Sequence, residues 1–591
     1  MNQKLFIQKS DEILDSMSIE ELRRCLHNVA RKTPEGKRES FLQLLEDCCD
    51  QDDQEDSKEK LQYKSLIPDE KVKEKLSDIK RIFTKMENGE LCLSAQGYED
   101  YSNGYWASDW IWEYEDNEGI GRIIEDAVLF AHDCMNDCRY EEAVTIFKLV
   151  MDTQIFVEDE CGGDSFELSL EEMVDEKLVG VNLKVLALDV LYSNYQLQTA
   201  AQRASVLYSY FTYPYFKEIH IEDIFSIGRE ELRDTDMFFQ SWIDFLMLQS
   251  GDVAARLLRE GILYYKGTIG LVEMARQGYK EHPSVYLAVL LEYEKVHDYE
   301  KMKEIGKEAL NKLECDLKLR GEIAMKAAQA SCCVNDSEFM KKCWYEGFYS
   351  NSTIPNYLRL FVDGEVTREY KNLAAKIIEK LRVCDNHYNH ISETAKNKIT
   401  DMEYKYLCFF SGHFDKIKNW CMEQKSPLGW SGNFIGYGVD LILLYLYADY
   451  NLRKAGKKIA ARVSKRMGFN ESKNLLFMKE NSVFETEVSV QKGEEIFWNI
   501  FCLWKVNYAI TVDDMRSHVE WLESVIDKRI DGIVGGKYRN KYNDVALLAA
   551  VLGEVKESHG LKMAKKIVIN RYLEKYSRHS SFRGALMEYM D

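Results

Sequence analysis

Residues 97–118 read Gly-Tyr-Glu-Asp-Tyr-Ser-Asn-Gly-Tyr-Trp-Ala-Ser-Asp-Trp-Ile-Trp-Glu-Tyr-Glu-Asp-Asn-Glu, the densest concentration of chemically unusual side chains in the chain. Seven aromatics (Tyr98, Tyr101, Tyr105, Trp106, Trp110, Trp112 and Tyr114) alternate with seven acids (Glu99, Asp100, Asp109, Glu113, Glu115, Asp116 and Glu118). Rings and carboxylates both attract cations, so Tyr98, Tyr101, Tyr105, Trp106, Trp110, Trp112 and Glu113 form a candidate surface for a Lys- or Arg-rich peptide. The other reading is a loop pinned onto the first helix pair by its own rings. A second cluster has the opposite sign: Lys528, Arg529, Lys537, Arg539 and Lys541 make a basic patch in an acidic chain. Such a patch suits an acidic partner or a nucleic-acid backbone, and equally a solvated turn or pairing with acidic helices.

Metal and catalytic patterns are weaker. Cys134 and Cys138, with His132 nearby, offer only three local ligands, and Cys134 also belongs to an apolar helix face, so no metal is expected there. His387 and His390, followed by Glu393, lack the His-Glu-x-x-His arrangement that supplies two ligands and a base, and read as a polar loop or helix face. Gly532-x3-Gly536-Lys537-Tyr538 has one residue too few between its glycines for a phosphate loop and no Ser or Thr after the lysine; its glycines are expected to end a helix and open a turn. No Gly-x-Ser-x-Gly elbow, dinucleotide fingerprint or kinase set occurs, and nothing selects a Cys/His pair. The sequence therefore points away from an enzyme and calls for no cofactor.

The elements that must carry these residues read as helices. Six prolines, at 34, 68, 214, 283, 355 and 427, are about 1% of 591 residues against a usual ~5%, and each can sit between helices. Apolar residues at 46% suffice for a continuous core, and a 30% charged fraction is typical of surface helices. The net charge of −21 disfavours a general affinity for nucleic acid. The first residues lack a signal-peptide core and no run reaches ~18 apolar residues, so a cytoplasmic, non-membrane protein with reduced thiols is expected. Its 15 cysteines contain no Cys-x-x-Cys.

Along the chain, Ser16 to His27 resembles a capped helix start, and the charged run Asp50 to Lys60 reads as an exposed connection before helices resume near Lys71. Residues 123–150 read as two helices with faces Ala127, Phe130, Ala131, Cys134 and Ala143, Ile146, Phe147, Val150. Segment 284–310 repeats the pattern behind Pro283. Arg139-Tyr-Glu-Glu-Ala-x3-Phe and Asp298-Tyr-Glu-Lys-Met-x3-Gly-x2-Ala-Leu resemble the entry to the second helix of tetratricopeptide repeats, with weaker copies at Asn335-Asp-Ser-Glu-Phe-Met-x2-Cys and Ser411-Gly-His-Phe-Asp-Lys-Ile-x3-Cys. Asp298 to Asp336 is 38 residues and Asp336 to Gly412 is 76, a loose period near 38. Lys528-Arg-Ile-Asp-Gly-Ile-Val-Gly-Gly-Lys-Tyr-Arg-Asn-Lys-Tyr, with Phe582-Arg, resembles the helical tail of bacterial SWIM zinc-finger proteins, and residues 271–360, with Ala275-Arg-x5-His-Pro and Ile354-Pro-x-Tyr-Leu-Arg-Leu, are similar to their repeat region. The zinc pattern of that family needs Cys-x-Cys followed by Cys-x-His; no Cys-x-Cys occurs, and the Cys-x-His at Cys25-Leu26-His27 follows none, so zinc and finger-based DNA binding are not implied.

Together these features predict an all-α chain: an N-terminal helical unit (1–49), an acidic linker (50–75), an irregular tetratricopeptide-like α-solenoid of helix hairpins (76–470) and a C-terminal helical cap (471–591). The expected role is a non-enzymatic interaction scaffold for a partner protein or basic peptide. The alternative is a nucleic-acid-associated accessory factor that uses the basic patch.

Overall fold

The computed structural model describes residues 67–100, 109–160, 165–363, 393–430, 432–478 and 489–590, with a few positions between 369 and 384. The described residues are mostly helical, and the chain divides into two compact units, Met1–Glu281 and His282–Asp591. Tyr101, Tyr105, Trp106, His387 and His390, together with the N-terminal helix start and the acidic run, lie outside the described residues.

In the first unit α1 (Asp69–Glu87) follows Pro68 at its N-cap and buries Val72, Ile79, Phe83 and Met86, a single stripe at helical spacing. A four-stranded sheet then interrupts the helices, which the all-helical expectation did not include. Its order is β2-β1-β3-β4, from β1 (Leu93–Asp100), β2 (Asp109–Glu115), β3 (Ile155–Asp159) and β4 (Phe166–Leu168). β1 runs antiparallel to β2, with Gly97 opposite Trp112, and parallel to β3. The pinned-loop reading is corrected for residues 97–100 and 109–115, which are strand: Trp110, Trp112 and Tyr114 recur every second residue, the period of a pleated strand, and ladder bonds satisfy the backbone there.

Between β2 and β3 lie α2 (Ile120–Asn136) and α3 (Tyr140–Asp152), which pack on each other. All eight residues expected on their two apolar faces are buried. The unit continues through α4 (Leu170–Asp175), α5 (Leu183–Leu197), α6 (Ala200–Tyr210), α7 (Thr235–Leu246) and α8 (Asp252–Gln277), the last kinked at Gly267, where φ is +67°.

The second unit opens with α9 (Ser284–Lys295), α10 (Tyr299–Lys312), α11 (Lys318–Cys333) and α12 (Ser337–Ser350). Each packs on the next, and α9 also reaches α11. One turn joins the hairpins: Cys138, His297 and Asn335 all adopt positive φ, and the next residue's N–H returns to a carbonyl five positions back, as in Arg139 to Cys134, Asp298 to Tyr293 and Asp336 to Ser331. This satisfies carbonyls left open at the first helix's end while the following residue starts the second. Gly412 repeats it between α14 (Asp401–Phe410) and α15 (Phe414–Glu423), after the short α13 (Ile354–Arg359).

The remaining helices are α16 (Ile435–Leu446), α17 (Lys454–Arg466), α18 (Val490–Val506), α19 (Val512–Gly535), α20 (Tyr542–Ser558), α21 (Ala564–Lys575) and α22 (Ser580–Met587). Trp504, fully buried, packs against Phe410 and Phe501 and donates its indole N–H to the Phe410 carbonyl at 2.9 Å. Glu554 of α20, also buried, accepts the backbone N–H of Ala455 and Gly456, capping α17 across space.

Candidate functional site: a cationic cleft

The sequence-expected residues separate. In the sheet, Tyr98 donates to Glu113 Oε1 at 3.3 Å on the exposed surface, whereas the Trp112 ring packs against Phe166 of β4, tilted by 47° with centroids 4.8 Å apart, and so braces the sheet. Of the basic patch, Lys528, Lys537 and Arg539 face solvent, Arg529 is buried, and Lys541 is half-buried beside Asp544. Gly536 caps the end of α19 and begins the turn as expected, but its own φ is −79°. Gly532 lies inside α19, where a Cβ would come within 3.0 Å of Pro427, and it is Lys537 that takes positive φ. Close helix-to-loop approach is therefore what position 532 requires.

Arg529 turns inward and donates to the Pro427 carbonyl, its guanidinium 5.1 Å from the Trp430 ring centre. There it meets groups from other elements. α16 is so apolar that Gly438–Leu446 is buried throughout, and Asp440 in the middle of this run is 1% exposed. A lone carboxylate at such a position is costly unless paired. α17 supplies the partners one turn apart on one face: Arg462 donates to Asp440 Oδ1 at 2.6 Å and Arg466 to Oδ2 at 2.8 Å. Arg466 also lies 4.3 Å from the Tyr437 ring centre. Burial raises the Asp440 carboxyl above its ordinary value, with both guanidinia pulling it down, and burial lowers Arg529.

These side chains enclose a cleft of about 180 Å³ lined by Trp430, Tyr437, Asp440, Arg462, Arg466, Arg529, Lys541 and Asp544. Four cations meet two carboxylates, and Arg462 Nε is buried without a hydrogen-bond partner. The space equals about six liquid-water volumes. It suits an anionic group held by guanidinium donors and flanked by aromatic faces.

The soft-ligand positions do other work. His132 Nδ1 meets the buried Asp189 at 2.7 Å, Cys138 shapes the α2–α3 turn, and burial pushes the Cys134 thiol up to about 12. No group of three or more His, Cys, Asp or Glu among the described residues could hold a metal ion. Glu393 instead accepts from Ser284 at the start of α9 and faces His282. No helix among the described residues is long and apolar enough to cross a membrane. Sequence reasoning missed Asp440, Arg462, Arg466 and Trp430; an acid inside an apolar run and two arginines four apart were the available signals.

The chain matches no protein-family model, and no curated protein matches it.

Proposed function

We propose that this protein is a non-enzymatic interaction scaffold, an irregular tetratricopeptide-like stack of helix hairpins, whose C-terminal unit takes an acidic segment of a partner protein into the cationic cleft. The observation that carries this reading is the convergence of Arg462, Arg466, Arg529 and Lys541 with Trp430 and Tyr437 on one cleft, in a chain whose net charge is −21. Guanidinium donors fixed by Asp440 and the Pro427 carbonyl are preorganised, which reduces the ordering cost of binding. The cleft favours an acidic group. The basic peptide expected from Tyr98 and Glu113 would need a separate surface on the sheet.

Calorimetric titration of the full chain with a Glu-rich peptide, its phosphoserine counterpart and a neutral Ser/Gln control tests this. Both acidic peptides should saturate one site, and Arg529→Gln should weaken them about tenfold, the loss of one charge-assisted bond. Equal affinity for the neutral control, or an unchanged Arg529→Gln variant, would overturn it. The nucleic-acid alternative draws on the exposed Lys528, Lys537 and Arg539. It would show instead as salt-steep binding of single- or double-stranded DNA, lost when those three become Gln and insensitive to Arg466→Gln.

A further inference from the structure

A second depression in the C-terminal unit has a different chemistry. The segment Tyr445–Tyr450, the end of α18, residues 509–512, Met515 and His559 enclose about 520 Å³, within the range of small-molecule sites. The walls are largely apolar, and Val506, Tyr450 and Val512 are 79%, 59% and 67% exposed. Isolated exposed apolar residues are ordinary, but three around one groove are surface that a ligand would cover.

The rim is fixed in place. His559 Nε2 lies 2.7 Å from the Leu446 carbonyl and Lys505 donates to the Tyr447 carbonyl. The Ala448 N–H reaches Ser558 Oγ at 2.9 Å, and Trp498 donates to the Tyr450 carbonyl at 2.6 Å. Side chains from α18 and α20 thus hold consecutive backbone groups of one irregular segment, so the groove is formed before anything enters it.

Lys505 is the unusual member. Its ammonium lines the groove and is largely buried, yet among the described residues its hydrogen-bond acceptor is the Tyr447 carbonyl and no carboxylate lies within ion-pairing distance. Asp449, the acid lining the groove, is turned toward Arg453 at 3.6 Å. An ammonium offers three donors, and a desolvated cation without a counter-charge is costly. An apolar cavity with an uncompensated cation at its wall is complementary to a molecule with an apolar body and one anionic end.

We propose that this groove binds an amphipathic monocarboxylate, its hydrocarbon chain against Val506, Ile510, Val512 and Met515 and its carboxylate on Lys505. This goes beyond the acidic-segment reading and does not depend on it, since the cationic cleft has separate lining residues. Covering the groove would remove the exposed apolar rim from water, and the carboxylate would supply Lys505 with its missing counter-ion.

Titration of the full chain with dodecanoate and with dodecanol, both below micelle formation, tests the proposal by calorimetry. Wild type should bind dodecanoate at least about tenfold more tightly than dodecanol, the value of one charge-assisted hydrogen bond. Lys505→Met should bring the two within about twofold of each other, and Arg529→Gln in the cationic cleft should change neither. Because Lys505→Met removes the donor to Tyr447, a second variant guards against misfolding. Ala509→Trp fills the groove from an exposed position and should abolish binding of both ligands with an unchanged melting temperature. Absent saturation, equal affinities in wild type, or a carboxylate preference that survives Lys505→Met would each overturn the proposal. So would concentration-dependent dimerisation that Ala509→Trp removes while dodecanoate fails to bind, because the groove would then seat a second copy of the chain.

Discussion

At the residue scale, Asp440 decides how the cationic cleft is held. Its carboxylate accepts one bond each from Arg462 and Arg466 while being 1% exposed, and the two guanidinia remain 27% and 30% exposed. Replacing Asp440 with Ala removes both bonds from a buried position, but the arginines keep access to water, so the expected destabilisation is about 2–3 kcal/mol rather than the larger cost of stranding a buried charge. Asp440→Asn keeps the shape and removes the charge. It should unfold at lower urea than wild type yet bind the acidic peptides more tightly, because the cleft's two-charge excess becomes three. A variant weakened in both stability and peptide binding would show that Asp440 acts by orienting the arginines rather than by neutralising them. Little of this was legible in the sequence. Arg529 and Lys541 were singled out as part of a surface patch, but the patch divides because α19 turns only Arg529 inward, toward Pro427 and Trp430, more than 95 residues earlier in the chain. Partners at that sequence separation leave no local pattern.

At the scale of elements, helix hairpins were legible and strands were not. Apolar positions three and four apart, followed by a polar turn, mark the α2–α3 and α9–α10 pairs from local spacing alone, and the faces expected for α2 and α3 are buried. β2 escaped because its acids and rings drew a chemical reading before a periodic one. The alternation Trp110, Trp112, Tyr114 is a strand signal, but β3, its neighbour's parallel partner, lies beyond two helices. The boundary between the two units at 281 is equally hidden, since no linker composition marks Tyr279-Lys-Glu-His-Pro. The hairpin turns also carry a measurable cost. Lys537, like Cys138 and His297, takes positive φ without being glycine, at +59°. Its Cβ pays roughly 1 kcal/mol in that region, offset in part by the extra unfolded-state entropy of glycine. Lys537→Gly should therefore raise stability by about 0.5 kcal/mol and Lys537→Val should lower it by about 1 kcal/mol or more, both read from urea midpoints at constant slope. A loss with glycine would mean that the lysine side chain makes a stabilising contact stronger than the strain it bears.

For the whole molecule, acidity and stability pull apart as pH falls. With 99 acidic and 78 basic residues the chain carries −21 at pH 7, and self-repulsion among carboxylates weakens as pH approaches 5.2. Stability is nonetheless set by groups whose protonation differs between folded and unfolded states, not by net charge. Glu393 is such a group. Burial alone would raise its carboxyl, but bonds from Ser284 and the facing His282 more than offset this and leave it below the ordinary value of 4.5. A carboxyl depressed in the folded state contributes stability that is fully present above its unfolded value and disappears as pH falls through the folded one. From pH 7 to about 5 two effects oppose each other. Repulsion is relieved, while burial holds the His413 and His518 imidazoles below the ordinary 6.5, so the stability they contribute is lost as they protonate. The unfolding free energy should therefore stay level or fall slightly. Below 4.5 it should fall, because Glu393 must be protonated while still holding the start of α9. Glu393→Gln isolates the contribution. The variant should be about 1–2 kcal/mol less stable than wild type at pH 7, with the gap closing as pH falls below 4.5 and through the depressed Glu393 value, where both proteins present a neutral group at this position. Urea denaturation of both proteins at pH 7, 5 and 3.5 measures this directly. A gap that stays constant across that range would assign the role of position 393 to packing and hydrogen-bond geometry, with no contribution from its charge.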